Sequence, residues 1–161
     1  MASILDKCDP KLKQHMSKGT VLLPEGGNTG RLYVLASGMV EVLRGDTQVA
    51  VVSDPGAVFG EMSVLLGVPH TATVRTLTDC EVFAYEDAEA FMNSDPTITF
   101  AIARLLAQRL NSATTYLVDI KNQYAGSGNH LGMVSSVLAS LINQPDRDYE
   151  PGSDREPDFR T

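Results

Sequence analysis

The first two-thirds of the chain consists of short apolar segments separated by turn-forming residues. Six segments of four or five residues are rich in Val, Leu, Tyr, Ala and Thr, and Gly, Pro, Asn, Asp or Ser residues lie between them. Many short strands at this spacing are typical of an all-β sandwich or barrel. The sequence therefore predicts a mainly β fold. The predicted strands are 20–23, 32–36, 39–43, 48–52, 71–75 and 81–85.

After the last predicted strand the hydrophobic pattern becomes helical. Residues 87–93 can form a short helix. Asp95 followed by Pro96 then supplies the residue types preferred at an N-cap and at the first helical position. No Gly and no further Pro occurs before Gly126, so the sequence predicts one long helix that ends near Tyr124.

One face of this long helix carries apolar residues at steps of four and three. Such a stripe either packs into the core of its own domain or pairs with the same stripe of a second copy. It continues past the length that a small β domain can cover, so pairing in a homodimer is the sharper hypothesis. The stripe consists of Leu106, Leu110, Ala113, Leu117, Ile120 and Tyr124.

The remaining residues suggest a helix and a tail. A second amphipathic helix is predicted to end near Gln144, and residues 145–161 have the Pro-, Asp- and Arg-rich composition of a disordered tail. The predicted organisation is a domain at 1–125, a linker with the amphipathic helix at 126–144, and the acidic tail. The apolar positions of the second helix are Leu131, Val134, Leu138, Leu141 and Ile142.

Charge narrows the range of partners. Twenty acidic and 13 basic residues give a formal charge of −7. Six acidic and three basic side chains lie in residues 146–161, so this segment carries −3 of the total. Proteins that bind a nucleic-acid backbone neutralise phosphates with Lys and Arg. An acidic chain of this kind is not expected to bind DNA.

Cysteine usage and hydropathy indicate the compartment. Cys8 and Cys80 form no C-x-x-C motif, so two reduced thiols are expected rather than a zinc cage or a disulfide framework. No apolar run approaches the roughly 18 residues that a membrane span needs. Residues 1–7 offer no long apolar stretch for a secretory signal. The expected location is cytoplasmic, without membrane contact.

One segment in the middle of the chain has residues suited to ligand binding. Gly60 lets the backbone approach a ligand closely, and residues 61–66 can form one or two helical turns. The amides at such a helix start, including those of Met62 and Ser63, suit an anion such as phosphate. Glu61 would repel phosphate but can accept a hydrogen bond from a sugar hydroxyl. A phosphate cradle beside a ribose acceptor indicates a nucleotide.

This segment resembles the phosphate-binding cassette of the cyclic-nucleotide-binding domain family, which occurs in bacterial catabolite regulators, cyclic-nucleotide-dependent kinases and gated channels. The family pattern is F-G-E-x-(S/A)-x-L-x(3)-P-R-x-A-T-V, and the resemblance covers roughly residues 15–125. It implies an antiparallel, jelly-roll-like β-roll with flanking helices and a long C-terminal helix, and a cyclic nucleotide, cAMP or cGMP, as ligand. The matching positions are Phe59, Gly60, Glu61, Ser63, Leu65, Pro69, Ala72, Thr73 and Val74.

The resemblance also implies roles for individual residues. The amides near Met62 and Ser63 would hold the cyclic phosphate, and Glu61 would bind the ribose 2′-hydroxyl. Thr71 lies where a threonine contacts guanine in cGMP-dependent kinases, or it is an ordinary strand threonine. Thr114 lies nearest the helix position that reaches the base in dimeric regulators, or it is only solvated. The implied ligand-binding residues are Gly60, Glu61, Met62, Ser63, His70, Thr71, Ala72 and Thr114.

His70 departs from the family pattern, which has arginine at this position. Arginine grips phosphate bidentately with a permanent charge, whereas histidine offers one donor and a charge that depends on pH. Arg75 is not expected to compensate, because an odd step along a strand places it on the opposite face. Three hypotheses follow: weak nucleotide binding, pH-sensitive binding, or loss of binding. A buried Glu61 without a ribose would lack a partner, which argues against loss.

No enzymatic motif occurs in the sequence. A cupin-like metal site needs clustered histidines, but His15, His70 and His130 are scattered, and no P-loop or G-x-S-x-G motif is present. Only 36 residues follow Ala125, too few for the DNA-binding domain of catabolite-type regulators. Two functions remain: a non-enzymatic cyclic-nucleotide sensor that signals to an unidentified protein partner, or a degenerate domain that acts as a dimeric interaction module.

Overall fold

The computed structural model describes residues 3–123 and 129–143, and within the second range the side chains of residues 133–141. Eight strands in the described residues form two four-stranded antiparallel sheets. The strand order is β1-β8-β3-β6 in the first sheet and β2-β7-β4-β5 in the second. The strands are β1 (Lys13–Met16), β2 (Val21–Leu23), β3 (Leu32–Ser37), β4 (Val40–Arg44), β5 (Thr47–Val52), β6 (Val58–Phe59), β7 (Thr73–Thr76) and β8 (Cys80–Tyr85).

Helices follow and interrupt these strands. Two short 3₁₀ turns, Ile4–Lys7 and Pro10–Leu12, precede strand β1. Helix α1 lies between β6 and β7, and the other three helices follow β8. The mainly β fold with a long helix after it is therefore confirmed. The helices are α1 (Glu61–Leu66), α2 (Ala88–Asn93), α3 (Pro96–Gln123) and α4 (Asn129–Asn143).

All six predicted strands are present, and two further strands were missed. Strand β1 is almost fully exposed and shows no alternation of apolar and polar residues, so only its pairing with β8 makes it a strand. Strand β6 has two residues, too few for a periodic signal. One predicted strand began too early, because β7 begins at Thr73 and not at Thr71.

The apolar core is built by residues from both sheets. Strand β3 contributes most, because all four residues from Leu32 to Leu35 are buried. Cys8 and Cys80 are both buried and are not joined by a disulfide. The central cluster consists of Leu22, Leu23, Tyr33, Leu35, Val40, Phe59, Val74, Cys80 and Val82.

A buried carboxylate lies on the second sheet, on the face turned away from Val40 and Val74. Glu41 is directly opposite Arg75 in the pairing of β4 with β7, and its side chain is only 6% exposed. The Arg75 Nε donates to Glu41 Oε1 at 2.7 Å, and Gln48 Nε2 donates to Glu41 Oε2 at 2.8 Å. The hydrogen bonds from Gln48 and Arg75 lower the pKa of Glu41.

The long helix begins as predicted. Asp95 Oδ1 accepts a hydrogen bond from the Thr97 amide at 2.8 Å, and Pro96 occupies the first helical position. This capping bond, followed by the one from the Thr97 hydroxyl, lowers the pKa of Asp95. The predicted second helix is confirmed as α4. Tyr124 and the predicted break at 126–128 lie outside the described residues.

Packing divides the described chain into two units, one that ends at Ala101 and one that begins at Ile102. The first unit contains both sheets, and the second contains most of α3 together with α4. The domain boundaries 1–125, 126–144 and 145–161 remain predictions, and the predicted disordered tail lies outside the described residues. None of the described helices combines the length and the apolar character that a membrane crossing requires.

Candidate functional site

Gly60 makes the turn from strand β6 into helix α1. Its φ of +101° lies in the left-handed region, which disfavours residues with a side chain. A Cβ at this position would lie 2.3 Å from the carbonyl oxygen of Arg31, the residue before strand β3. Glycine is therefore required for two reasons, its backbone conformation and the close approach of Arg31.

Helix α1 begins directly after this glycine, as the sequence predicts. Glu61 and Ser63 are buried, whereas Met62 is 44% exposed. The Ser63 hydroxyl donates to the Gly60 carbonyl at 3.2 Å, which fixes the first turn of the helix. The first-turn amides of a helix have no acceptor within the helix itself. The implied phosphate-binding amides of Met62 and Ser63 thus lie in the turn that Gly60 starts.

The burial of Glu61 is weaker evidence for a bound ligand than the sequence suggested. Glu61 is 2% exposed and has an interaction within the protein. In residues 3–123 and the described side chains of α4, every buried side-chain nitrogen or oxygen has a hydrogen-bond partner. The expectation that Glu61 would lack a partner without a ribose is therefore wrong, because the fold itself supplies one.

His70 is held by the loop between strands β2 and β3. Its amide donates to the Gly27 carbonyl at 2.8 Å, and its carbonyl accepts from the Gly26 amide at 2.7 Å. Its ring Nε2 lies 2.7 Å from the hydroxyl oxygen of Thr29. The residue is 5% exposed, and this burial lowers the pKa of the imidazole. The residue that replaces the family arginine is therefore a buried histidine whose burial disfavours the charged form.

Thr71 and Ala72 connect His70 to strand β7 and are both partly buried. Because β7 begins at Thr73, Thr71 is not a strand residue, and the alternative of an ordinary strand threonine is wrong. Its implied contact with guanine remains a prediction. Thr114 lies in the second unit, on helix α3, and its implied contact with the base also remains a prediction.

Arg75 is engaged elsewhere. Its guanidinium contacts Glu41, so its charge is already paired on the second sheet. The expectation that Arg75 does not replace the family arginine agrees with this contact. The reason given for this expectation was that side chains alternate between the two faces of one strand. That reason does not hold, because strand β7 does not extend back to His70.

The contacts of the loop at 24–31 are not evident from the sequence. The turn-forming residues between the predicted strands 20–23 and 32–36 indicate a change of direction, yet the loop that they form contacts His70 through two backbone bonds and through Thr29. The same loop reaches helix α2, because the Ala88 amide donates to the Gly30 carbonyl at 2.9 Å. The Gly, Asn and Thr residues of this loop indicate a turn but do not indicate which distant residue the turn contacts.

The family profile described as cyclic nucleotide-binding domain matches residues 13–93, half of the chain. The chain belongs to the cyclic nucleotide-binding domain family. The matched range contains both sheets, Gly60, helix α1 and His70, so the family assignment covers the whole candidate site within the first unit.

Individual relatives support the same assignment. The CRP-like cAMP-activated global transcriptional regulator of Mycobacterium tuberculosis is 28% identical over 109 residues, which cover 64% of this chain and 49% of that protein. The cyclic AMP receptor protein of Thermus thermophilus is 34% identical over 136 residues, or 76% of this chain and 61% of that protein. The chain thus spans about half to three-fifths of the length of these two relatives.

Solved structures show the same fold. The Thermus thermophilus catabolite activator protein has a TM-score of 0.56 and 23% identity, over 81% of this chain and 76% of that chain. The structure of Sp-2Cl-cAMPS bound to PKAR CBD2 has a TM-score of 0.53 and 20% identity, over 73% and 82% of the two chains. At these identities the likeness concerns the β-roll fold alone.

The stability cost of replacing Gly60 can be compared with that of replacing Gly67, which has a similar backbone conformation but no close neighbour. Gly67 ends helix α1 with φ +66°, but no atom lies within 4 Å of a Cβ placed there. Gly67→Ala should cost about 1 kcal/mol for the backbone conformation alone. Gly60→Ala should cost at least about 1–3 kcal/mol more, because the Arg31 carbonyl must also move. Urea unfolding of both variants tests this, and equal losses would contradict the close approach.

The buried imidazole predicts a pH dependence of stability. Because the folded protein lowers the pKa of His70 below its usual value of about 6.5, the unfolded chain binds a proton there more readily. The contribution of His70 to stability is thus fully present above pH 7 and decreases as pH falls through about 6.5. Between pH 7.5 and 5.5 the wild type should lose more unfolding free energy than His70→Gln. Parallel losses would show that burial does not perturb His70.

Proposed function

We propose that this chain is a non-enzymatic sensor module that binds a cyclic nucleotide, cAMP or cGMP, at the segment from Gly60 to Ala72. The observation that carries the proposal is the glycine turn into helix α1, with Glu61 and Ser63 buried in the first helical turn. Family membership supports it, and so do the cAMP-related names of the two bacterial relatives.

The ligand would divide its contacts among three kinds of groups. The amides of Met62 and Ser63 would receive the cyclic phosphate, since a first-turn amide is a ready donor to an anion. Glu61 would accept the ribose 2′-hydroxyl, in exchange for its present interaction. His70 would face the phosphate with one donor. Thr71 and Thr114 would be the candidates for contact with the base.

Signalling would proceed through the helices after the β-roll. A ligand shifts a conformational equilibrium only by its difference in affinity for the two states. In this proposal the states differ in the position of helix α3 and of the amphipathic helix α4. The output would be altered binding of an unidentified protein partner in the cytoplasm, with no DNA or membrane bound.

A second candidate function is a dimeric interaction module that has lost nucleotide binding. Two observations favour it. His70 replaces the charged, bidentate arginine of the family pattern and is already engaged by Thr29. On helix α3, the middle of the apolar stripe is uncovered, because Leu110 is 45% exposed and Ala113 is also exposed. The homodimer itself is compatible with both functions.

Calorimetric titration of the nucleotide-free protein with cAMP and cGMP separates the two functions. We expect measurable binding of one of them. Removing or restoring one charge-assisted hydrogen bond changes affinity by about ten- to hundred-fold. Glu61→Gln should therefore weaken binding by this factor, and His70→Arg should strengthen it. Glu89→Gln, on an exposed position of α2, should leave affinity unchanged.

The same titration at pH 8 and pH 6 tests the role of His70. A phosphate beside the imidazole raises its pKa in the complex, so binding takes up a proton and affinity should increase as pH falls. Affinity that does not vary with pH would show that no charged imidazole contacts the phosphate. No heat with either nucleotide up to millimolar concentration, with Glu61→Gln altering only stability, would favour the interaction module.

The homodimer has its own test. A charge at the centre of the apolar stripe should prevent pairing, because an unpaired buried charge is strongly unfavourable. Leu110→Glu should therefore be monomeric by analytical ultracentrifugation at high micromolar concentration, where the wild type should be dimeric. Ser112→Glu adds the same charge at an exposed position off the stripe and should remain dimeric. A monomeric wild type would contradict pairing through this stripe.

A further inference from the structure

The geometry of the contact between Thr29 and His70 favours one direction of its hydrogen bond. Thr29 Oγ1 already accepts a hydrogen bond from the Arg31 amide at 3.2 Å. It lies 2.7 Å from His70 Nε2. Among residues 3–123, no other protein acceptor lies within hydrogen-bond distance of Thr29 Oγ1. The 2.7 Å separation is shorter than the roughly 2.9–3.0 Å typical of an N–H···O bond, which favours the hydroxyl as the donor and Nε2 as the acceptor.

This direction decides which ring nitrogen carries the proton. A neutral imidazole has one N–H group, so a ring that accepts at Nε2 must carry its proton at Nδ1. Burial supports the neutral state, because it lowers the pKa of His70. A Thr29 hydroxyl that donates to Nε2 selects the Nδ1–H tautomer.

The second ring nitrogen is accessible. No described hydrogen bond involves Nδ1 of His70, yet none of the fully buried side-chain nitrogens among the described residues lacks a partner. Nδ1 is therefore not sealed inside the fold. A histidine that is 5% exposed as a whole therefore keeps its Nδ1 within reach of solvent.

We propose that Thr29 is a positioning residue that fixes His70 as the Nδ1–H tautomer and presents this N–H as an uncharged donor to an anion. The link to the cyclic phosphate rests on the proposed function, whereas the tautomer does not. The family arginine carries a charged donor at this position regardless of its neighbours. A histidine carries a suitable donor at neutral pH only if another group occupies its other nitrogen, and Thr29 supplies that group.

The tautomer can be measured on the ligand-free full chain. Long-range ¹H–¹⁵N spectra distinguish protonated from unprotonated ring nitrogens, and His70→Gln assigns the His70 signals among three histidines. At pH 7.5 the wild type should show a protonated Nδ1 and an unprotonated Nε2. Thr29→Ser keeps the hydroxyl and should preserve this pattern. Thr29→Val has nearly the same shape without the hydroxyl and should lose it.

Two controls keep the result specific. Thr47→Val removes a hydroxyl from exposed strand β5 and should leave the His70 signals unchanged. Urea unfolding checks that Thr29→Val is folded. A wild type with the proton at Nε2, or unchanged His70 signals in Thr29→Val, would overturn the proposal.

Titration with cAMP and cGMP extends the test to the ligand. Losing one neutral hydrogen bond that fixes the donor should weaken binding by about two- to twelve-fold in Thr29→Val, with recovery in Thr29→Ser. Unchanged affinity in Thr29→Val would overturn the role of the donor toward the ligand. A wild type that shows the Nδ1–H tautomer but binds neither nucleotide would support the tautomer and overturn the proposed function alone.

Discussion

The close approach of the Arg31 carbonyl to Gly60 determines how the first unit builds its site. Because no Cβ fits between them, the backbone before strand β3 can lie against the turn that starts helix α1. The first turn of α1 thereby lies beside the loop at 24–31, and that loop in turn holds His70. A steric condition on one glycine thus brings together a helix start and a histidine that are distant in sequence.

In the proposed site, the donor to the phosphate is provided differently from the arginine of the family pattern. An arginine would bring its charge with it, but His70 depends on its neighbours for its orientation and for the position of its proton. Arg75 does not supply the missing charge, since it neutralises the buried Glu41 on the second sheet. The polar groups of the candidate site are therefore mostly neutral donors beside one carboxylate, Glu61, and the proposed cyclic nucleotide would place its phosphate against the donors and a hydroxyl against the carboxylate.

Features with local signals could be predicted from the sequence. The start of α3 depends on Asp95 and Pro96, which are adjacent, and the helical turn after Gly60 depends on its immediate neighbours. Features that arise from pairing could not be predicted. Strand β1 exists because it pairs with β8, and the Thr29–His70 contact joins residues 41 positions apart. The argument that an odd step along the strand places Arg75 on the face opposite His70 failed for a related reason. It assumed a strand that begins two residues earlier than strand β7 does.

The bond between the Gly30 carbonyl and the Ala88 amide gives the loop a mechanical role. Thr29 contacts the ring of His70, and the next residue along the chain holds the first turn of helix α2. In the proposed site, a ligand contact to the imidazole would therefore act on the same short stretch of backbone that anchors α2. Adjacent residues of one loop thus support both the imidazole proposed to face the anion and the first turn of this helix.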